Sequence, residues 1–144
     1  MKAKLQKFLN NRSIEPHAST KKEIESYKKL VIRDLKDCMI EELSVDRRFA
    51  TAYQAALNLS RIVITAKGYR VTSKRGHHAL TFEVAGIILG AKFKRYLDYF
   101  DICRRKRNII DYDYTKVTSL SELRELLETV SEFKGIVFDL LDTE

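Results

Sequence analysis

The sequence has few of the residues that interrupt regular structure. It contains one Pro, five Gly, two Cys and no Trp in 144 residues. Because Pro, Gly and low-complexity tracts mark linkers, their scarcity argues against a linker or a disordered half. Cys38 and Cys103 are isolated thiols on helical stretches, so neither a disulfide framework nor a cysteine metal site is indicated. Both are predicted to be small core or near-core residues.

Long apolar runs are also missing. No stretch approaches the length of a membrane span, and the Lys-rich residues 1–11 lack the apolar core and cleavage site of a signal peptide. We therefore expect a cytoplasmic protein that does not enter a membrane. With 44% hydrophobic residues, the chain suffices for one well-buried core and is too short for two ordinary domains. Residues 1–144 are predicted to form a single domain.

Positive charge dominates the composition, with a net charge of +7. From Val117 onward seven acidic residues face two basic ones, a net charge of −5, so the first 116 residues carry +12. A basic body with an acidic final helix suggests an anionic partner, although charge alone indicates neither the fold nor any sequence specificity. An alternative is that the acidic helix pairs with the basic surface of a second copy.

Helical periodicity covers most of the chain, and no alternating apolar run is bounded by hairpin turns. We expect a short helix before Pro16, a long helix capped by Ser19 or Thr20 and ending near Leu43, and another that Asp46 caps and Gly68 ends. Further helices are predicted over 81–89, from 91 through the basic run, and after a capping box formed by Ser119 and Glu122. The fold class is therefore all-α, an antiparallel helical bundle with four or five main helices.

The polar connection over 69–78 carries two adjacent histidines, His77 and His78. A His pair invites a metal or catalytic interpretation, but neighbouring helical positions point about 100° apart and no further His or Cys lies at ligand spacing. We expect no metal and no cofactor here. The histidines are predicted to contact an anion together with Arg75, or His78 simply begins the next helix. In the preceding helix, Tyr53 and Asn58 are polar enough to border a cleft, although core or near-core roles are favoured.

The most informative stretch is 104–114, which continues an amphipathic helix but places a cation where an apolar residue is expected. Phe93, Tyr96, Phe100 and Cys103 recur at three- and four-residue steps, and Arg107 continues their line. Arg107 is thus predicted to point inward, with Arg104 and Asn108 at the edge of the same face and Arg105 and Lys106 facing solvent. A guanidinium on a buried stripe needs a carboxylate, carbonyl or phosphate partner. It is either satisfied by a structural carboxylate or borders a cleft that binds an anion.

The run from Arg107 to Tyr114, Arg-Asn-Ile-Ile-Asp-Tyr-Asp-Tyr, resembles the signature of HEPN domains, which are small all-α domains. That signature is an Arg, usually followed by a polar residue, then a His four to six residues later, often with a Tyr two positions beyond. This chain keeps Arg107, Asn108 and Tyr114, and has Tyr112 at the His position. The resemblance covers roughly 21–141, but only the signature is specific.

The resemblance implies a homodimer whose two signatures face each other across a basic cleft, and RNA or a nucleotide as ligand. Many HEPN proteins are metal-independent ribonucleases of toxin–antitoxin or other defence systems, and a small nucleotidyltransferase antitoxin is then the expected protein partner. Arg107 would contact the phosphate, with Asn108 and Tyr114 as further signature residues. Tyr112 is poorly matched to general base chemistry, because an unperturbed phenol has a pKa of about 10.

We therefore expect an RNA- or nucleotide-binding protein with reduced or absent catalysis. Two alternatives remain open at this point. One is a metal-independent endoribonuclease that uses Arg107 with Arg104, Tyr112 or a loop His, and the other is a structural dimeric adaptor.

Overall fold

The computed structural model describes residues 1–72, 76–112 and 118–143, and the side chains of residues 109–112 are outside this description. Within these ranges the chain forms six α-helices and two short strands. In chain order they are α1 (Lys2–Asn10), β1 (Ile14–Pro16), α2 (Lys21–Asp37), α3 (Val45–Ala66), β2 (Tyr69–Val71), α4 (His77–Leu89), α5 (Lys94–Tyr112) and α6 (Leu120–Asp142), with one 3-10 turn, Ala91–Phe93, before α5.

Helix α3 is the centre of the bundle and packs against α2, α4, α5 and α6. Small residues on α3 allow this close approach, since Ala52, Ala55 and Ala56 are all completely buried. Large aromatic side chains from the neighbouring helices fill the remaining space, including Phe82 of α4, Phe100 of α5 and Phe133 of α6. The predicted all-α helical bundle is confirmed.

The two strands were not predicted. β1 and β2 pair antiparallel, with Ile14 opposite Val71 and Pro16 opposite Tyr69. His17 N donates to Gly68 O at 2.8 Å and Thr72 N donates to Ser13 O at 2.9 Å, which extends the pairing at both ends. A two-stranded sheet tolerates Pro16 because an edge strand needs ladder bonds on one side only. The sheet ties the N-terminal segment to the connection between α3 and α4.

The end of α2 differs from the prediction. The helix ends at Asp37 and not near Leu43, because Arg48 Nε donates to Cys38 O at 2.6 Å and Met39 N and Ile40 N bond back three residues. An arginine from α3 thus satisfies a carbonyl that another helical turn would have used.

The residue that caps α3 also differs from the prediction. Ser44, and not Asp46, accepts the first-turn bond, from Arg47 N at 3.2 Å. Asp46 is instead used in a tertiary contact, since its Oδ1 accepts from Thr118 N at 2.7 Å. Asp46 therefore fixes the approach of the chain to α6.

Four other helix ends are as expected, whereas α4 begins at His77 and not at Thr81. Thr20 caps α2, and Ser119 with Glu122 forms the complete capping box of α6. Gly68 and Gly90 both have positive φ, of 95° and 92°, which allows the chain to turn into β2 and into the 3-10 turn. Among the helices of the described ranges, none combines the length and apolarity needed to cross a bilayer.

Candidate anion-binding site

The site is centred on the phenol of Tyr53 on α3, which is 1% exposed. Its ring packs edge-on against Phe82, with ring centroids 5.9 Å apart. Its hydroxyl lies 3.1 Å from Nδ1 of His78. Tyr53 was predicted to have a satisfied core role, and it has one, but that role is to hold a histidine of the site.

The two histidines occupy the first turn of α4. Their rings are perpendicular, with centroids 4.5 Å apart. Thr81 Oγ1 donates to His77 O at 2.6 Å and so closes this first turn with a side-chain bond. The predicted polar connection is therefore shorter than expected. The helix begins at His77, one residue before His78, which the sequence had offered as its first residue.

Helix α5 brings Arg107 to the other side of Tyr53. The guanidinium carbon Cζ lies over the Tyr53 ring, 5.6 Å from its centroid. Tyr96, Phe100 and Cys103 are buried on the predicted stripe, and Arg107 itself is half-buried. The predicted inward direction of Arg107 is confirmed, because its guanidinium lies on the face of the buried Tyr53 ring.

Arg104 lies one turn earlier on α5 and is also half-buried. Its Nε donates to Oδ1 of Asp101 at 2.8 Å, in a pair whose side chains are 25% and 33% exposed. This carboxylate orients the guanidinium along the helix. Arg104 thereby stays close enough to the Tyr53–His78 pair to influence both groups electrostatically.

Arg61 of α3 completes the arrangement and was not identified from the sequence. Its Nη1 donates to Oδ1 of the buried Asn58 at 2.9 Å. The sequence does contain a feature that points to Arg61. It is the single charged residue in the run over 49–66, and it lies about one helical turn after Asn58. We use the name basic cluster for Arg61, Arg104, Arg107, His77 and His78. Arg107 and His78 contact Tyr53, and the other three lie near enough to His78 to oppose its protonation.

The protonation states within the cluster follow from burial and charge. The pKa of His78 is lowered to about 4, mainly by burial and further by the charges of His77, Arg61, Arg107 and Arg104. Burial raises the pKa of Tyr53, against the opposing effect of Arg107 and Arg104. At neutral pH His78 is therefore uncharged and Tyr53 keeps its proton. We assign the phenol as donor to Nδ1, which leaves the imidazole hydrogen on Nε2.

The outer residues of the basic run have different environments. Arg105 is exposed, as predicted, and its Nε lies 3.8 Å from Asp101 Oδ2. Lys106 was predicted to face solvent, but it is half-buried and forms an ion pair with Glu122 of α6. This pair, together with the bond from Ser119 N, lowers the pKa of Glu122. Asn108 is exposed.

Three predicted site residues cannot be placed. Arg75 and Tyr114 lie outside the described residues, and the side chain of Tyr112 is likewise outside the description. Of the predicted residues that are described, the structure brings together Arg104, Arg107, His77 and His78.

No group of three or more His, Cys, Asp or Glu side chains in the described part of the chain is arranged to hold a metal ion. The two cysteines are buried free thiols far from each other in sequence, which confirms their predicted core roles. Burial raises the pKa of Cys103 to about 11, so this thiol stays protonated at neutral pH.

Comparison of the chain with protein-family models, with curated proteins and with solved structures found no match.

Proposed function

We propose that this protein is a HEPN-like RNA-binding protein that holds an RNA phosphate on the basic cluster and has little or no ribonuclease activity. The observation that carries the proposal is the placement of Arg107 over Tyr53 while His78 is bonded to the same phenol. The Arg107 guanidinium of α5 and the His78 imidazole of α4 are thus both held by the buried side chain of Tyr53. Such preorganisation reduces the entropy lost when an anion binds.

The chemistry of the cluster suits a phosphate. Three arginines offer planar, permanently charged donors, which match phosphate oxygens in bidentate fashion. Neutral His78 adds an Nε2–H donor without adding a charge that would have to be desolvated. Arg104 is paired with Asp101 and Arg61 with Asn58, so each guanidinium is oriented by one partner while keeping further N–H groups for a ligand.

The resemblance supplies the class of anion. Arg107 and Asn108 stand at the positions of the HEPN signature, and the helical bundle has the fold class that the resemblance implies. On this basis the ligand is RNA or a nucleotide, the assembly is a cytoplasmic homodimer, and the system is of the toxin–antitoxin or defence type, with a small nucleotidyltransferase as antitoxin.

A second candidate function, a metal-independent endoribonuclease, is favoured by one observation. His77 and His78 lie close to the arginines of the basic cluster. Either could supply the imidazole that is missing at position 112, where this chain has Tyr. His78 is poorly suited to this role, because a base with a pKa of about 4 accepts a proton weakly at neutral pH. His77 is then the residue that would exchange protons with the substrate.

Binding of a fluorescently labelled single-stranded RNA of about eight nucleotides tests the proposal, with anisotropy measured between about 50 and 200 mM salt. Arg107→Gln should weaken binding by about tenfold. The slope of log affinity against log salt concentration should fall by roughly the amount expected for one phosphate contact. Arg105→Gln removes the same charge two residues away, from an exposed position, and should change affinity less than about twofold.

Equal effects of Arg105→Gln and Arg107→Gln would show that binding is diffuse and does not use the cluster. Absence of RNA binding by the native protein would favour the structural adaptor. A fall in melting temperature for Arg107→Gln, without loss of binding, would mean that this arginine is a structural partner.

A further inference from the structure

A polar groove lies beside the basic cluster and shares His77 and Arg61 with it. It has a volume of about 320 Å³ and is bordered by α2, α3, β2 and the first turns of α4. Arg61 and His77 border both the groove and the basic cluster, which makes the two continuous. We call this space the side groove. Its volume is at the lower end of the range of small-ligand pockets, which begins at about 300 Å³.

The charges of the side groove are nearly balanced. Arg70 forms an ion pair with Glu15, and His17 Nε2 lies 2.9 and 3.0 Å from the two carboxylate oxygens of Glu23. Arg61, at the boundary with the cluster, is the remaining arginine that borders the groove among the described residues. A second phosphate would therefore meet carboxylates inside the groove, whereas an uncharged polar group would not be repelled.

The lining offers contacts of two kinds. Tyr27 presents an aromatic ring, and Ile64 and Val71 contribute apolar surface, all suited to the face of a base. The Glu23 carboxylate accepts hydrogen bonds, for which ribose hydroxyls and base amino groups are donors. These features match a nucleoside better than a phosphate.

We propose that the side groove binds one nucleoside of the RNA strand whose phosphate lies on the basic cluster, with the base toward Tyr27 and the ribose near Glu23. This inference rests on the proposed function, since the phosphate on the cluster directs the next nucleoside past Arg61 and His77. The groove thus makes binding depend on the nucleoside as well as on charge.

Substitutions at Thr65, which borders the groove and is 5% exposed, test the inference. Thr65→Met fills the groove without changing charge, and it should weaken binding of the labelled RNA by about tenfold while leaving the salt dependence unchanged. Thr65→Val keeps the volume and should bind RNA within about twofold of the native protein. DNA of the same sequence should bind more weakly than RNA to the native protein, and Thr65→Met should reduce that difference.

The outcomes separate the two proposals. Loss of binding in Arg107→Gln with none in Thr65→Met would overturn the side-groove inference and leave RNA binding on the cluster intact. No RNA binding by the native protein would overturn both. If Thr65→Met fails to fold, Tyr27→Ala tests the groove from α2. Weakened binding with unchanged salt dependence would support the inference, and native affinity would contradict it.

Discussion

The hydroxyl of Tyr53 and Nδ1 of His78 lie 3.1 Å apart, joining α3 to the first turn of α4 across 25 residues of sequence. The bond holds a neutral imidazole among three arginines, an environment that opposes its protonation. Because of this contact, the stability of the fold depends on the protonation state of His78 in the candidate site.

Stability should fall as the pH decreases below the ordinary pKa of histidine. The pKa of His78 is lowered in the folded protein from 6.5 to about 4, so between these values the unfolded chain binds a proton that the folded protein does not. Linkage then makes the free energy of unfolding rise with pH in this window. As the pH falls from about 7 to 5, the titration of His78 should lower the free energy of unfolding by about 2 kcal/mol. Urea unfolding of the native protein and of His78→Gln checks this, because the variant should lose most of that pH dependence.

Removal of the Tyr53 hydroxyl should release His78. Tyr53→Phe keeps the ring beneath Arg107 and in contact with Phe82, but deletes the donor to Nδ1, at a cost of about 1 kcal/mol in unfolding free energy. Because that bond stabilises the neutral imidazole, the pKa of His78 should move up toward its ordinary value. An NMR titration of the His78 ring measures the shift. Tyr99→Phe is the matched control, since it removes another phenol that bonds to Cys103 and should leave the His78 titration unchanged.

Much of the fold could be predicted from the sequence because helices are local. The stripe from Phe93 to Arg107, the Ser119 capping box and the positive-φ glycines at 68 and 90 all follow from spacings of a few residues. The pairing of Ile14 with Val71 could not be predicted in this way, because it joins segments more than 50 residues apart through three-residue strands. The bond from Thr118 N to Asp46 was missed because it also joins residues far apart in sequence. The bond from Arg48 to Cys38 O spans only 10 residues, but it depends on how α3 packs against the end of α2.

The charged residues of the candidate site could be predicted from the sequence, but their contacts with Tyr53 could not. Helical spacing identified Arg107 as inward-facing, and the polar connection identified His77 and His78 as candidate anion contacts. Their meeting on Tyr53 depends on how α3, α4 and α5 pack together. Arg61 was missed because a single Arg in an apolar run is also compatible with a solvated edge.

The proposed homodimer built on α5 should depend on Ile102. This side chain is 55% exposed on the helix that carries Arg107, and contact with a second copy through α5 would bury it. Ile102→Glu should shift the protein to a monomer in light scattering at tens of micromolar concentration, because it would place a charge in an apolar contact. Ile32→Glu changes a residue of α2 that is 50% exposed and should leave the mass unchanged. A native protein that is already monomeric under these conditions would contradict the dimer.

Catalysis should be weak in the native protein and restorable at position 112. In the proposed resemblance to HEPN domains, Tyr112 stands at the position of the His. Tyr112→His would restore an Arg and a His separated by four residues, with a group that titrates near neutral pH. With RNA in the presence of EDTA, the native protein should cut slowly or not at all, and Tyr112→His should cut measurably faster. The double variant Arg107→Gln with Tyr112→His should lose the gain, because the developing charge on the phosphate would lack its stabilising guanidinium. Rapid cleavage by the native protein that both Arg107→Gln and His77→Ala abolish would instead assign the missing imidazole to His77.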